Sequence, residues 1–290
     1  MFIIADKIGR LGNRLFLFAH IIAAAIEKKR AVMNLAFYEY ARFFQTTSKD
    51  ILCRYTPKEN FIKGNNVLSR VLYSSARCLS CLIAKCQIKS KYIKSIVWQD
   101  MKNPYILDSP EFSVLVNNNK LIFFQGWLFR AYKYVEKYSD EIQSYFKPQK
   151  VYENKIKSPI FHLQKSCEII FGITMRHGDY RQYQEGRYFY SLKQYLHLMK
   201  QAEQLFPKKK VGFLICSDEE QDVTFFSNFN FYFRSGHIIE NLYSLAECDY
   251  IISPPSTYSM WASFYGKVPC YLVHNPEKSL SIKSFVVIKG

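Results

Sequence analysis

The start of the chain consists of an apolar run, a turn with two glycines and a long apolar helix, and this order limits the fold more than any other feature. Residues 2–5 have the composition of a short buried strand, and residues 14–29 that of a helix. Gly9 and Gly12 permit a close approach of the backbone, and the helix start offers unpaired N–H groups to an anion. The turn is interpreted either as an anion site or as a tight structural connection.

The alternation of apolar runs and helical stretches continues along the chain. Further strands are predicted at residues 121–124, 168–175, 211–216, 250–252 and 269–273, and helices at 132–146, 191–205, 239–246 and 259–265. Such alternation is typical of an α/β protein with parallel sheets. A Lys- and Asn-rich stretch with prolines, residues 147–159, is predicted to link two Rossmann-like domains, residues 1–150 and 151–290.

The charge of the chain restricts its partners. The formal net charge is +16 over 290 residues, and such a protein meets anions: nucleic acid, anionic lipid or phosphorylated small molecules. Aromatic residues make up 17%, so a nucleic-acid-binding protein stays as a minor alternative, although no known binding module is visible. The chain opens without a signal-peptide pattern, so a cytoplasmic location is expected, with most of the eight cysteines as free buried thiols.

Residues 60–99 form a strongly basic segment. They include seven Lys or Arg and no Asp or Glu, with apolar residues near helical spacing. The favoured interpretation is an ordinary helix with a solvated basic face, and the alternative is an amphipathic helix that lies on the anionic inner face of the cell membrane. No membrane-spanning segment is predicted, because the longest apolar stretch, residues 15–26, is too short and is expected to be a buried helix.

Cys78, Cys81 and Cys86 are the closest group of thiols. A structural zinc site needs four ligands, and neither a second Cys pair nor a pair of histidines accompanies them. Thiols on one helix face are therefore the favoured interpretation, and no metal site is predicted.

Three polar clusters follow predicted strands in the second half, where open α/β sheets bind their ligands. Residues 176–180 present an arginine, whose fork of donors matches phosphate oxygens, or form a surface turn. Residues 217–220 offer a carboxylate to a guanine edge or a ribose hydroxyl, or cap a helix. Residues 253–259 gather hydroxyls at a helix start, again as an anion site or as a cap.

Together these blocks resemble the bacterial α-1,2-fucosyltransferases of glycosyltransferase family 11. Residues 9–19, Gly-Arg-Leu-Gly-Asn-Arg-Leu-Phe-Leu-Phe-Ala, are similar to the family's Gly-Gly-Leu-Gly-Asn-Gln-Met-Phe-Gln-Tyr-Ala, and residues 176–180 to the end of its His-x-Arg-Arg-Gly-Asp-Tyr block. Residues 217–218 resemble its Ser-Asp-Asp, and residues 241–266 its stretch ending Asn-Ser-Thr-Phe-Ser-Trp-Trp-Gly-Ala-Trp. The matches keep their order along the chain, and residues 35–110 show none.

The resemblance implies a GT-B-like fold, in which two Rossmann-like domains with parallel sheets face a central cleft. Residues 1–150 would bind mainly the acceptor, and residues 151–290 a GDP-sugar. The implied reaction is an inverting transfer of fucose from GDP-fucose to a hydroxyl of a glycan, free or lipid-linked, in an α-1,2 linkage. The donor is a substrate, and neither a metal nor another cofactor is expected.

The resemblance also implies roles for single residues. Arg176 would stabilise the departing diphosphate. By residue type, Asp179 and His177 are the candidates for the general base. The predicted substrate-binding residues are Gly12, Asn13, Arg14, Ser217, Asp218, Ser256, Thr257 and Ser259. Thr174 and His177 stand where the family has His and Arg, so a transferase for another nucleotide sugar and a non-catalytic glycan- or nucleotide-binding relative stay as alternatives.

Overall fold

The computed structural model of the chain describes residues 1–56, 66–86, 90 and 92–290, which divide into two α/β units. The first unit consists of Met1–Lys150 together with Lys289–Gly290, and the second of Val151–Ile288. Each unit has its own five-stranded sheet and its own set of buried apolar side chains.

The first unit is built on a mostly parallel sheet. Its elements in chain order are β1 (Phe2–Ile4), α1 (Leu11–Glu27), β2 (Val32–Asn34), α2 (Tyr38–Ala41), β3 (Arg54–Tyr55), α3 (Asn66–Lys85), β4 (Ile93–Val97), β5 (Tyr105–Ile106), α4 (Pro110–Asn118), β6 (Leu121–Gln125), β7 (Phe129–Arg130), α5 (Tyr132–Lys137) and α6 (Ser139–Tyr145). The strand order is β3-β2-β1-β6-β4, and among these described strands only β2 and β3 pair antiparallel. β5 and β7 form a separate parallel pair.

Helix α1 lies in the core of the first unit. Residues 15–25 are all buried, including the side chain of His20. Phe18 packs edge-on against Phe37, Tyr145 and Phe146. A helix that is apolar on nearly every side must be enclosed by other elements, and the prediction of a buried helix here is confirmed.

The second unit has a fully parallel sheet. Its elements in chain order are α7 (Glu153–Gln164), β8 (Ile169–Met175), α8 (Leu192–Gln204), β9 (Val211–Ser217), β10 (Asn230–Ser235), α9 (Ile238–Leu245), β11 (Tyr250–Ser253), α10 (Thr257–Gly266) and β12 (Cys270–Leu272). The strand order is β10-β9-β8-β11-β12. Tyr195 and Leu198 of α8 belong to the core on one face. On the other face a Cβ at Gly172 would lie 2.7 Å from Leu245 Cδ2, so a larger residue there would require the side chain of Leu245 to move.

Most of the predicted linker is helical, so that prediction is wrong for residues 153–159. Helix α7 begins at Glu153 and contains Pro159 in its interior. Proline has no N–H to donate to the carbonyl four residues earlier, which is that of Lys155. The Nη1 of Arg234, in β10, donates to this carbonyl oxygen instead, over 2.8 Å. A side chain from a strand thus satisfies the group that the proline leaves unpaired.

Other differences from the predicted elements have local causes. Residues 132–146 form two helices rather than one, because Tyr138, at φ −113° and ψ 27°, leaves the helical conformation. The pattern also misses six strands, namely β2, β3, β4, β5, β7 and β10. β4 and β10 are edge strands whose side chains, apart from the buried Ile96, are exposed or partly buried, so their sequences lack a continuous apolar run.

Helix α3 forms the centre of the basic segment. Val67–Lys85 is long and apolar enough, by length and composition alone, to cross a membrane, although most of it is not buried. The prediction of no such segment rested on unbroken apolar stretches, and Arg70 and Arg77 interrupt the apolar residues of α3. Residues 60–65, 87–89 and 91 of the basic segment lie outside the described residues.

Candidate active site

The carboxyl ends of β8, β9 and β11 lie side by side in the second unit. β8 is the central strand, with β9 and β10 on one side and β11 and β12 on the other. The order of the strands therefore reverses between β8 and β11, and open α/β sheets bind ligands at such a switch point. The three predicted polar clusters follow these three strands, so the strand order brings them together.

Arg176 leaves the end of β8 between two carboxylates. Its Nη2 lies 2.6 Å from Asp179 Oδ1, and its Nε lies 3.4 Å from Asp218 Oδ2. The guanidinium also lies over the ring of Tyr180, 5.0 Å from the ring centre. The side chain is only 18% exposed, and Nε is buried without a hydrogen-bond partner in the described part of the chain. The arginine is thus held in one orientation at the switch point by the carboxylates of Asp179 and Asp218.

Asp218 organises the loop that carries Arg176. Its Oδ1 accepts hydrogen bonds from the backbone N–H groups of His177, over 2.8 Å, and Gly178, over 3.3 Å. Ser217 is buried, and its Oγ accepts from the backbone N–H of Glu219 and from the side chain of Gln221. Ser217 and Asp218, both predicted to bind substrate, therefore stabilise the turns at the ends of β8 and β9.

The ring of His177 is enclosed by protein. It is 5% exposed, and its Nε2 lies 2.8 Å from the carbonyl oxygen of Tyr190. The ring also packs on Phe189, with 4.7 Å between ring centres. Since the carbonyl can only accept, His177 Nε2 donates to it, and the side chain ties the β8 loop to the segment that precedes α8.

The loop after β11 contributes hydroxyls at the start of α10. The Oγ of Ser256 accepts from the backbone N–H of Tyr258 over 3.2 Å and caps the helix, and Thr257 is its first residue. Ser259 is fully buried, with its Oγ 2.5 Å from Ser253 Oγ. Ser256 and Thr257 therefore lie at a helix N-terminus, whereas Ser259 lies inside the unit.

Tyr180 is a residue of the motif to which sequence reasoning assigned no role. Its hydroxyl donates to the carbonyl oxygen of Pro255 over 2.6 Å, which connects the loops of β8 and β11. Burial raises the pKa of Tyr180, and the neighbouring Arg176 partly offsets this effect. Its place directly after the Arg-His-Gly-Asp run is the only signal that the sequence offers for it.

The glycine turn of the first unit is held by an ion pair and a hydrogen bond of Arg14. Arg14 Nη1 lies 2.7 Å from Glu39 Oε2, and Arg14 Nε donates to the carbonyl oxygen of Gly9 over 3.0 Å. Gly9 has φ +74°, and a Cβ there would lie 2.2 Å from the side chain of Asn13, so glycine is required. Gly12 is buried in the first turn of α1. The predicted binding residues Gly12, Asn13 and Arg14 therefore lie together at the start of α1, after the first strand.

The cysteines in the part of the chain that the structure describes are all free thiols. Cys78 and Cys86 are exposed, Cys81 is partly buried, and none of the three forms a disulfide there. Among these described residues, no group of three or more His, Cys, Asp or Glu is placed to hold a metal ion.

Comparison with known proteins gives matches in structure only. Neither a family model nor a curated protein sequence matches the chain. A mutant of Arabidopsis thaliana FUT1 in complex with GDP aligns with a TM-score of 0.58 and 12% identity, over 98% of this chain and 73% of that one. NodZ α-1,6-fucosyltransferase soaked with GDP-fucose aligns with a TM-score of 0.57 and 17% identity, over 96% and 97%.

A third structure has the same fold. POFUT1 in complex with GDP-fucose aligns with a TM-score of 0.52 and 11% identity, over 91% of this chain and 93% of that one. At such identities the likeness concerns the fold, and it extends over both α/β units. The chain therefore has the GT-B-like fold of these fucosyltransferases, built from two Rossmann-like units with parallel strands.

Proposed function

We propose that this protein is a glycosyltransferase that transfers fucose from GDP-fucose to a hydroxyl of a glycan. The structures with the same fold are fucosyltransferases, and several of them were determined with GDP or GDP-fucose. The family resemblance of the sequence blocks supports the same reaction and adds the α-1,2 linkage. The net charge of +16 suits an anionic donor.

The observation that carries the proposal is the position of Arg176. It lies at the switch point of the second sheet, oriented by Asp179 and Asp218, and its loop is bonded to the one that starts α10. A guanidinium with a fixed orientation matches the oxygens of a diphosphate, and a helix N-terminus supplies further N–H donors. In the proposed function, the second unit therefore binds the GDP-sugar.

The proposed reaction is a direct displacement at the anomeric carbon with inversion. The sugar passes through a state with oxocarbenium character, as in glycoside hydrolysis, while negative charge grows on the departing GDP. Arg176 meets this charge with donors that need no reorganisation, aided by the start of α10 at Ser256 and Thr257. In this proposal the diphosphate is stabilised by protein groups and no metal takes part.

The surroundings of the two candidate bases support different roles. Asp179 is partly exposed and bonded to Arg176, so we propose that it orients the arginine and accepts the proton of the acceptor hydroxyl as the new glycosidic bond forms. His177 is buried, and its Nε2 is bonded to Tyr190. These contacts support a positioning role for His177 in place of general-base catalysis.

We assign the acceptor to the first unit, whose glycine turn contains Gly12, Asn13 and Arg14. Arg14 and Lys7 both contact the carboxylate of Glu39. The cluster offers cationic and carboxylate groups to sugar hydroxyls beside the start of α1. If the assignment is right, Arg14→Gln raises the KM for the acceptor and leaves the affinity for GDP unchanged.

The donor is tested by thermal unfolding with GDP, UDP, TDP and their sugar derivatives. A ligand that binds only the folded protein stabilises it by about 2.7 kcal/mol at 100 times its Kd. GDP and GDP-fucose are expected to raise the unfolding temperature most. A clear preference for UDP would favour a transferase for another nucleotide sugar.

Turnover and linkage need a second assay. GDP release from GDP-fucose is measured over a panel of galactose-terminated and other glycans, and the linkage in the product is read by NMR. Binding of GDP without transfer to any acceptor, and without hydrolysis of the donor, would favour a non-catalytic binding protein. A fucosylated product with another linkage would contradict the α-1,2 assignment and still support fucosyl transfer.

A further inference from the structure

Helix α3 of the first unit has an apolar side that faces solvent. Leu68, Val71, Leu79 and Leu82 are 44%, 54%, 48% and 52% exposed. Val71, Cys78 and Leu82 follow one another at i, i+7 and i+11, so they lie along one side of the helix. These five residues are called the outer stripe of α3. A helix on the surface of a globular unit normally turns polar residues to water, so the stripe needs a partner.

The opposite side of α3 is packed on the sheet. Tyr73 and Ile83 are buried there. Ser80 Oγ accepts from Gln125 Nε2 over 2.7 Å and lies 2.9 Å from Ser95 Oγ, in strands β6 and β4. Insertion of α3 across a bilayer would leave these polar groups without their partners and expose the apolar ones. As long as the unit is folded, the outer stripe can therefore meet a membrane only from its surface.

The charges beside the stripe have one sign. Residues 66–86 include Arg70, Arg77 and Lys85, all exposed, and no Asp or Glu. Among the described residues, the only carboxylate paired with these cations is that of Asp6, whose Oδ1 lies 3.7 Å from Arg77 Nη2. Lys94, on the adjacent strand β4, is also exposed. An apolar stripe flanked by Arg and Lys is the arrangement of helices that lie in the interface of a bilayer.

We propose that the outer stripe of α3 docks on the surface of an anionic phospholipid bilayer. The apolar side chains enter the boundary between headgroups and acyl chains, while Arg70, Arg77 and Lys85 bind lipid phosphates. The charge complementarity selects this partner over a second copy of the chain, because two copies would bring the same cations face to face. The proposal does not depend on the transfer reaction, since docking is measured without donor or acceptor.

The test is co-sedimentation of the full chain with vesicles. Binding to phosphatidylcholine vesicles that contain phosphatidylglycerol should exceed binding to pure phosphatidylcholine at least about tenfold, because each basic residue near an anionic surface contributes. Raising the salt from about 0.1 M to about 1 M, which shortens the Debye length from about 10 Å to about 3 Å, should weaken it. Equal binding to both vesicle types would overturn the proposal.

Matched variants separate the stripe from the general basic charge. Val71→Ser/Leu82→Ser should reduce vesicle binding about tenfold or more, because two apolar side chains are lost from the interface. The control is Val114→Ser/Phe161→Ser, at two similarly exposed apolar residues on α4 and α7. Arg70→Gln/Lys85→Gln should also weaken binding, and Lys133→Gln/Lys208→Gln should not. Equal losses in test and control variants would reject the stripe as the docking surface.

A dye on the stripe reports the environment directly. Cys78 is exposed and lies within the stripe, so a polarity-sensitive dye can be attached in a Cys81→Ser/Cys86→Ser background. Emission should shift to the blue on anionic vesicles and stay unchanged on neutral ones. A blue shift that rises with protein concentration in the absence of vesicles, with a dimer in sedimentation, would show instead that a second copy covers the stripe.

Discussion

The hydroxyl of Tyr180 donates a hydrogen bond of 2.6 Å to the carbonyl oxygen of Pro255. This contact joins the loop that carries Arg176 to the loop that starts α10. Both sides of the switch point are thereby held together within the second unit, before any ligand binds.

Tyr180→Phe should therefore weaken donor binding without unfolding the protein. A neutral hydrogen bond contributes about 0.5–1.5 kcal/mol, so the Kd for GDP is expected to rise about two- to tenfold, measured by calorimetry. Tyr183→Phe is the matched control, because Tyr183 is exposed nearby. An unchanged Kd in Tyr180→Phe would mean that the contact does not contribute to donor binding.

Arg176→Ala should strongly reduce turnover and leave the protein folded. Loss of one donor to the developing charge costs about 10²–10³ in kcat, to be read as GDP release at saturating donor. Arg181→Ala provides the comparison, since Arg181 lies in the same loop but is exposed and paired with Glu219. Similar rates for the Arg176 variant and the unmodified protein would remove Arg176 from the mechanism.

His177 offers a test of positioning against base catalysis. His177→Gln keeps a donor for the carbonyl of Tyr190 and should retain most activity, whereas His177→Ala should lower the free energy of unfolding by about 1–3 kcal/mol. The shape of the pH–rate profile is expected to be unchanged in His177→Gln. If turnover is lost in His177→Gln as well as in His177→Ala while both variants stay folded, His177 is the general base after all.

His20 makes the stability of the first unit sensitive to acid. Burial, reinforced by the charge of Arg130, lowers the pKa of His20 well below its ordinary 6.5, against the hydrogen bond from the backbone N–H of Ala131. The unfolded chain therefore takes up the proton first. Stability should be complete above about pH 6.5 and fall as the pH decreases below it, by at most about 1.4 kcal/mol per pH unit.

The measurement is chemical unfolding at about pH 7 and about pH 5. His20→Gln, whose amide oxygen can accept from Ala131, should show a smaller difference between the two pH values than the unmodified protein. His162→Gln, at an exposed histidine of α7, should not change that difference. An equal loss on acidification in all three proteins would exclude His20 as the source.

Local pattern was enough to determine the class of the fold and the position of the site along the chain. Buried strands and apolar helices leave periodic signals, so the strand, glycine turn and helix at the N-terminus and most elements of the second unit could be predicted. Polar residues directly after buried strands are equally visible. The segment of Arg176 was found in this way, because its residue types and its place after a strand are local properties.

Only the tertiary structure decided which of these residues meet. The strand order makes the ends of β8, β9 and β11 neighbours, and no sequence period reports strand order. His177 turns into the protein because Tyr190 and Phe189 lie there. Pro159 is accommodated within α7 because Arg234, from another element, donates to the carbonyl oxygen of Lys155 that the proline leaves unpaired. Such contacts join residues far apart in the chain, so their energy depends on distances in space that a local pattern does not encode.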